Sequence, residues 1–333
     1  MPDPDLQRLL RRQHGVLSRR QALGAGADQV HVARMVRRGQ WVVVHPGVYV
    51  THNGPLTRAQ REWAALLRYP GSVLAGAAAL AAHGVAAPSR GRQGRQSGSL
   101  ELALPHGRHP RRSSPGISTS QRRDFAEAAL PAANPPRLRI EHAAIDVASR
   151  APSEDAAVAV LADVVRDGHT TPARLSAVLE RQRGLPRRAL LREVLVDVGS
   201  GAQSPLERRY LRDVERAHGL PTGQRQVREQ VASWSGVETA TLFRDVRYAL
   251  FSSLVELDGG LGHSAAADRW ADLDRDLAAA ADGFATLRAG WRQVLDPCRL
   301  ALVVGRTLRL RGWQGQPAPC ARPDCRVRTD RAA

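Results

Sequence analysis

The sequence predicts an α/β multidomain protein, and three observations predict it. Its 333 residues exceed what one small core organises, so two or three domains are expected. Helical periodicity runs through the N-terminal and middle regions. Alternating, strand-like runs flanked by helical ones appear near the other end, at residues 243–248 and 254–258. The expected division is a reader domain at 1–54, a mixed, mainly helical middle region at 55–199 with a flexible connector near 88–99, an α/β domain at 200–315, and a disordered tail at 316–333.

Composition narrows the class of partner. Lys and Arg total 49 against 32 Asp and Glu, a formal charge of +17, and every one of the basic side chains is Arg. Such an excess favours polyanions, because each neutralised phosphate releases condensed counterion. A GC-rich coding sequence produces the same Arg and Ala bias without selection for nucleic acid, so the location of the charge has to decide. No apolar run reaches transmembrane length: the Ala-rich stretch at 73–85 is interrupted by His83 and Gly84. No signal-peptide layout opens the chain. A cytoplasmic protein with no membrane partner is therefore expected. Three cysteines, an odd number, do not make a disulfide framework.

The first fifty residues read as helix, helix, helix, hairpin. Leu6, Leu9 and Leu10 form the apolar side of the first helix, which ends at Gly15. Ser18 starts the second, with Gln21 three residues on completing a capping box. Gly24-Ala25-Gly26 makes the tight turn of a helix-turn-helix, and Asp28 caps a third helix closed by Gly39. In that third helix Val32, Met35 and Val36 share the inward face. His31, Arg34 and Arg38 lie opposite, with Arg37 at their margin. The β-rich runs 41–44 and 48–50 flank Pro46-Gly47 as a hairpin wing. A basic amphipathic helix alone is commonly only a solvated face. Here the whole winged helix-turn-helix order is present, and eight arginines between Met1 and Gly54 meet only Asp3, Asp5 and Asp28. Double-stranded DNA is the expected partner, with His31, Arg34, Arg37 and Arg38, and Arg19 and Arg20 at the start of the second helix, as candidate contacts.

The run from Gly15 to Leu23, then Val36-Arg37-Arg38-Gly39-Gln40-Trp41 and His45-Pro46-Gly47-Val48-Tyr49, resembles the N-terminal domain of AbiEi-family antitoxins. That resemblance implies promoter binding, repression of an operon, and a cognate toxin or its operator as partner.

In the middle region, 56–69 and the Ala-rich segment after Gly71 are expected to be helices supporting the reader. Residues 100–104 and 138–142 are expected to be strands joined by a Pro- and Arg-rich surface loop. From 143 to 198 the pattern is helical, broken at Pro152, Thr170-Thr171-Pro172 and Gly184-Leu185-Pro186. No internal repeat and no phosphate-binding Gly-rich loop is evident.

The densest chemical signal lies between Ser204 and Trp313. Ser204-Pro205-Leu206-Glu207 opens a helix; Glu207 is a candidate catalytic acid, and it also fits the third position of a capping box. Strand alternation places Glu256 and Asp258 on one face, and Asp245 can approach them if the two runs pair as neighbours. Converging carboxylates suit Mg²⁺, which could polarise a phosphodiester while His263 moves a proton. Asp258-Gly259 is equally an ordinary turn pair.

Ser204-Pro205-Leu206-Glu207, Asp245, Val255-Glu256-Leu257-Asp258-Gly259 and His263, continued by Asp268-Arg269, Arg275-Asp276, Gly283, Leu287-Arg288 and Trp291, resemble a domain family related to very short patch repair endonucleases, within the restriction-endonuclease-like fold. That resemblance implies a C-terminal α/β nuclease-like domain, with Asp245 and Glu256 or Asp258 holding the metal. Restriction-type sites usually carry a Lys two residues after the second acid; Asp258 stands there, and the repair-type enzymes also lack that Lys.

Two functions are thus expected. One is a DNA-binding transcriptional regulator of AbiEi type whose C-terminal domain adds binding or partner contacts. The other is a Mg²⁺-dependent DNA endonuclease recruited by its winged helix. Cys298 is expected to pack after Trp291, and Cys320 and Cys325 to lie in the tail; without a neighbouring histidine no zinc site is expected.

Overall fold

A computed structural model describes residues 4–85, 99–108, 113–196, 205–232, 239–259 and 266–330. The described chain divides into two units, residues Met1–Val147 and Ala148–Ala333. The division falls inside the expected middle region, and the expected connector at 88–99 lies almost wholly outside the described residues.

The first unit begins with α1 (Pro4–Arg12), β1 (Val16–Ser18), α2 (Arg19–Gly24), α3 (Gln29–Arg37), β2 (Val42–His45) and β3 (Val48–Val50). Both expected helix starts are present. Ser18 and Gln21 form the reciprocal capping box, and Asp28 accepts from the His31 amide at 2.5 Å. The sequence reading missed β1. Gly15, at φ +80°, turns the chain so that Val16 and Leu17 bury completely and β1 pairs antiparallel with β3. The three strands run in the order β1-β3-β2. Leu6, Leu17, Ala22, Val32, Trp41 and Tyr49 form the core, with Met35 and Val36 packed against it. α4 (Arg58–Arg68) follows, carrying buried Trp63 and Leu66. Its Gln60 side chain donates to the His14 carbonyl at 2.9 Å, tying α4 to the turn before β1.

The rest of this unit is a five-stranded sheet. β4 (Val73–Leu74) leads into α5 (Gly76–Ala82). Then come β5 (Leu100–Pro105), β6 (Ile117–Arg122), α6 (Phe125–Ala128), β7 (Ala129–Leu130), β8 (Arg137–Leu138) and α7 (Ile140–Ser149), which crosses the division between units. The strand order is β6-β5-β4-β8-β7. Two expectations are corrected. The loop expected at 105–123 contains β6, paired parallel with β5. The strand expected at 138–142 stops at Leu138 and becomes helix, because Ile140, Ala143, Ala144, Ile145 and Ala148 bury together at helical spacing. Arg122, at the end of β6, pairs with Asp124 at 2.8 Å and with Asp146, beside buried His142.

In the second unit α8 (Glu154–Arg166), α9 (Pro172–Arg181) and α10 (Arg188–Val196) break at the expected Pro and Gly positions, with Thr171 capping α9. α11 (Pro205–Arg209) runs into a π-helical segment, Tyr210–Arg216. β9 (Gln224–Ala232), β10 (Thr239–Tyr248), a 3₁₀ turn at Ala249–Phe251, β11 (Ser253–Asp258), α12 (Ala266–Ala281) and β12 (Ala285–Gly290) build a mixed sheet ordered β12-β11-β10-β9. β9, β10 and β11 are successively antiparallel, and β12 joins parallel to β11, the connection that α12 makes possible. α13 (Trp291–Val294), α14 (Pro297–Leu310) and α15 (Arg326–Asp330) complete the unit.

The expected disordered tail is corrected as well. Cys320, Cys325 and Val327 are buried with Cys298, and Ala217 and Leu302 pack against them. Cys325 Sγ lies 3.9 Å from His218 Nε2, so the histidine that the sequence spacing could not supply is present.

Candidate nucleic-acid interface

α3 is held from two sides. Val32, Met35 and Val36 seat its inner face on the core, and Asp28 satisfies its first turn. The opposite face carries Arg34, Arg37 and Arg38, all exposed, and half-buried His31. The His31 ring meets Trp41 edge-on at 6.0 Å, and its Nδ1 lies 2.9 Å from Arg34 Nη2. His31 therefore orients Arg34 while its own ring is partly withdrawn into the core. Arg19 and Arg20, at the start of α2, are exposed too. Among the described residues, no acid pairs with Arg19, Arg20, Arg34, Arg37 or Arg38. Guanidinium groups left to solvent are free to take phosphate or the acceptor edge of guanine.

The β2–β3 hairpin turns at Gly47, φ +75°, a left-handed position that suits glycine. The Gly47 carbonyl accepts from the Arg19 amide at 2.7 Å, fixing the hairpin tip to the start of α2. His45, on the hairpin, has its pKa held below the ordinary imidazole value by burial and by the nearby charge of Arg68.

Residues 4–52 match the family model of a transcriptional regulator, AbiEi antitoxin. The match supports a DNA-binding regulator and covers the three helices and the hairpin just described. No curated protein matches the chain.

Beyond the AbiEi-type segment, the acids singled out in the sequence lie around the second unit's sheet. β10 and β11 are neighbours, registered Val246↔Val255 to Tyr248↔Ser253. At Asp245 the main-chain ladder gives way to a side-chain bond: Asp245 Oδ2 accepts from the Leu257 amide at 2.7 Å. Glu256 takes Arg244 Nη1 at 3.3 Å, and Arg244, itself buried, also holds Glu229 at 2.9 Å. Glu256 is registered with Arg288 of β12, whose guanidinium binds Asp276 at 2.9 Å. That bond raises the Arg288 pKa against the cost of burial, with Glu256 and Asp258 adding to it. Asp258 is exposed at the strand end, and Glu207 accepts from Gln226 at 3.0 Å. His263 and Ser204 lie outside the described residues.

The donors are the hard oxygens Mg²⁺ prefers. Among the described residues, the His, Cys, Asp and Glu side chains gathered at ligand spacing are His218, Cys298, Cys320 and Cys325; Asp245, Glu256 and Asp258 are not part of that group. The sequence reading weighed these acids without the arginines that stand beside them in the sheet. In this sheet Arg244 pairs with Glu256, and the Leu257 amide donates to Asp245.

The sequence reading also missed a buried polar network. Glu215, 2 % exposed, forms an ion pair with Arg225 at 2.8 Å and accepts from the Tyr248 hydroxyl at 2.9 Å and from the Gly223 amide at 3.3 Å. The Tyr210 hydroxyl meets that of Tyr248 at 3.0 Å. No motif marks it, since its members come from a helix, a turn and two strands.

Proposed function

We propose that the protein is a DNA-binding transcriptional regulator of the AbiEi antitoxin type. In this reading residues 4–52 act as a winged helix-turn-helix, with α3 in the major groove and the β2–β3 hairpin as the wing. One observation carries it: the outer faces of α2 and α3 present five arginines with no acidic partner among the described residues, within the segment that matches the regulator family. Arg34, Arg37 and Arg38 take base edges and phosphates, Arg19 and Arg20 take backbone phosphates, and His31 positions Arg34. A cognate toxin, or the operator of its gene, is the partner this reading entails. The second unit's sheet contributes further binding or partner contacts. The test is binding to duplex DNA from upstream of the protein's own coding region, measured over a salt series. Wild type should bind it more tightly than unrelated duplex of equal length, and the Arg34→Ala, Arg38→Ala variant should lose that preference. Equal binding of both duplexes by wild type would overturn the reading.

A second reading, a metal-dependent endonuclease, is favoured by the antiparallel adjacency of β10 and β11, which carry Asp245 and Glu256. It requires Asp245, Glu256 and Asp258 to leave their present partners and close on Mg²⁺, with His263 and Glu207 at the same site. Incubation of duplex DNA with the protein and Mg²⁺ or Mn²⁺ separates the two. Cleavage abolished by Asp245→Asn, with binding retained, supports the nuclease; binding without cleavage supports the regulator alone.

A further inference from the structure

Four side chains that neither function uses meet in the second unit. His218 follows the π-helical segment, Cys298 sits in the first turn of α14, and Cys320 and Cys325 precede α15. One ligand atom from each lies within 4.8 Å of all the others. Their exposures are 0 %, 4 %, 8 % and 2 %, so water does not explain the gathering.

Two of the separations come close to the edges of a tetrahedral ion site. Zn–S bonds of about 2.3 Å and a Zn–N bond of about 2.0 Å at tetrahedral angles set S···S edges near 3.8 Å and S···N edges near 3.5 Å. Cys298 Sγ and Cys320 Sγ are 3.7 Å apart, and Cys325 Sγ is 3.9 Å from His218 Nε2. All three cysteines are free, and 3.7 Å is far beyond a disulfide bond of about 2.05 Å.

The surroundings also suit a metal. His218 Nδ1 lies 3.1 Å from the Val214 carbonyl, to which only an N–H can donate. That bond places the hydrogen on Nδ1 and leaves the Nε2 lone pair facing Cys325, the arrangement metal-bound histidines use. The Cys320 amide donates to Cys325 Sγ at 3.4 Å, as backbone amides do toward a thiolate carrying charge. The Arg328 guanidinium reaches the Cys320 carbonyl at 3.1 Å, and the Ala318 amide donates to the His218 carbonyl at 2.7 Å. The ligands are thus held by hydrogen bonds within the C-terminal segment and between it and the turn at His218.

We propose that His218, Cys298, Cys320 and Cys325 form a structural Zn²⁺ site that clasps the C-terminal segment to the π-helical segment and α14. Four protein ligands fill a tetrahedron, so no position is left for water or substrate, and the ion is structural and not catalytic. Three thiolates and a neutral imidazole around Zn²⁺ carry a net negative charge, which the nearby Arg328 partly offsets. Soft sulfur donors select zinc over the magnesium expected at the sheet, so the two metals do not compete for this site.

The test uses the full-length protein, purified from zinc-replete medium under reducing conditions without chelator. Elemental analysis should find about one zinc per chain. Replacing it with Co²⁺ should produce the strong visible bands of a tetrahedral ion together with thiolate-to-metal charge transfer. Cys298→Ser should lose the metal. His218→Cys, which keeps four ligands, should retain it, so a failure of the serine variant to fold leaves the proposal testable. A strong chelator should lower the unfolding temperature of the second unit and leave DNA binding by residues 4–52 unchanged. No bound zinc together with no Co²⁺ spectrum on the reduced protein would overturn the proposal, as would iron in its place or a Cys298–Cys320 disulfide in the freshly purified protein.

Discussion

The outer face of α3 and the sheet of the second unit both carry a high density of arginine, and they treat it in opposite ways. On α2 and α3 the guanidinium groups are exposed and without acidic partners among the described residues. In the sheet, Arg225, Arg244, Arg247 and Arg288 are matched to Glu215, Glu229, Glu256 and Asp276. Net charge therefore says little about where nucleic acid binds. Arginine already neutralised and partly buried is structural, whereas arginine facing water on a fixed helix is available to phosphate.

The largest effect that tests this contrast is structural. Glu215→Ala leaves Arg225 without its buried partner, and removing one member of such a pair costs about 3–5 kcal/mol. Chemical denaturation should show that loss in the second unit. A loss under about 1 kcal/mol would mean the pair is effectively solvated.

Next in size is the DNA-binding effect on the other side of the contrast. Arg34→Ala with Arg38→Ala should weaken specific binding by about 1–3 kcal/mol for each base contact removed. The slope of log K against log salt should flatten by about 0.9 for each phosphate contact removed. Arg192→Ala, at a residue paired with Glu180 on the second unit's surface, should change neither quantity. Equal effects from the two variants would erase the distinction between paired and available arginine.

Asp28→Ala is milder. Losing the cap on α3 should cost about 1 kcal/mol of stability in a thermal or denaturant melt, and DNA binding should weaken only as far as the helix frays.

The gentlest test is pH. Burial holds the pKa of His142 below the ordinary imidazole value; Arg122 works in the same direction, and Asp124, Asp146 and Glu127 work against it. His45 is shifted the same way, by burial and then by Arg68. The unfolded chain binds these two protons near pH 6.5 and the folded first unit only at lower pH. Their stabilisation is therefore complete above that value and is lost as pH falls through the folded pKa values. A melt followed from pH 7.5 to 5 should show the first unit weakening. A first unit that is more stable at pH 5 than at pH 7.5 would contradict the burial of both rings.

The same contrast explains what could be read from the sequence. Helix starts at Ser18, Asp28 and Thr171 depend on residues three apart, and all three appear as expected. The faces of α3 follow from period alone. β1 was not legible, because three residues carry no periodicity and Val16 becomes a strand only by meeting Val50. The acids of the sheet were found as strand residues, but their partners Arg244 and Arg288 depend on strand register, which spacing does not encode. The cysteine cluster was the least legible of all. His218 stands 107 residues from Cys325 and shares no local pattern with it; the one hint was the short gap between Cys320 and Cys325.

The bond from the Arg19 amide to the Gly47 carbonyl bears on how such a reader can diversify. If α3 reads DNA as proposed, its outward residues can be exchanged without touching any main-chain bond, so new sequence preferences are accessible one substitution at a time. The hairpin tip has no such freedom. Its carbonyl closes one of the open amides at the start of α2, and an insertion or deletion between His45 and Val48 would displace it. Descendants of this domain should accordingly vary in the letters they read while inheriting a wing of constant length.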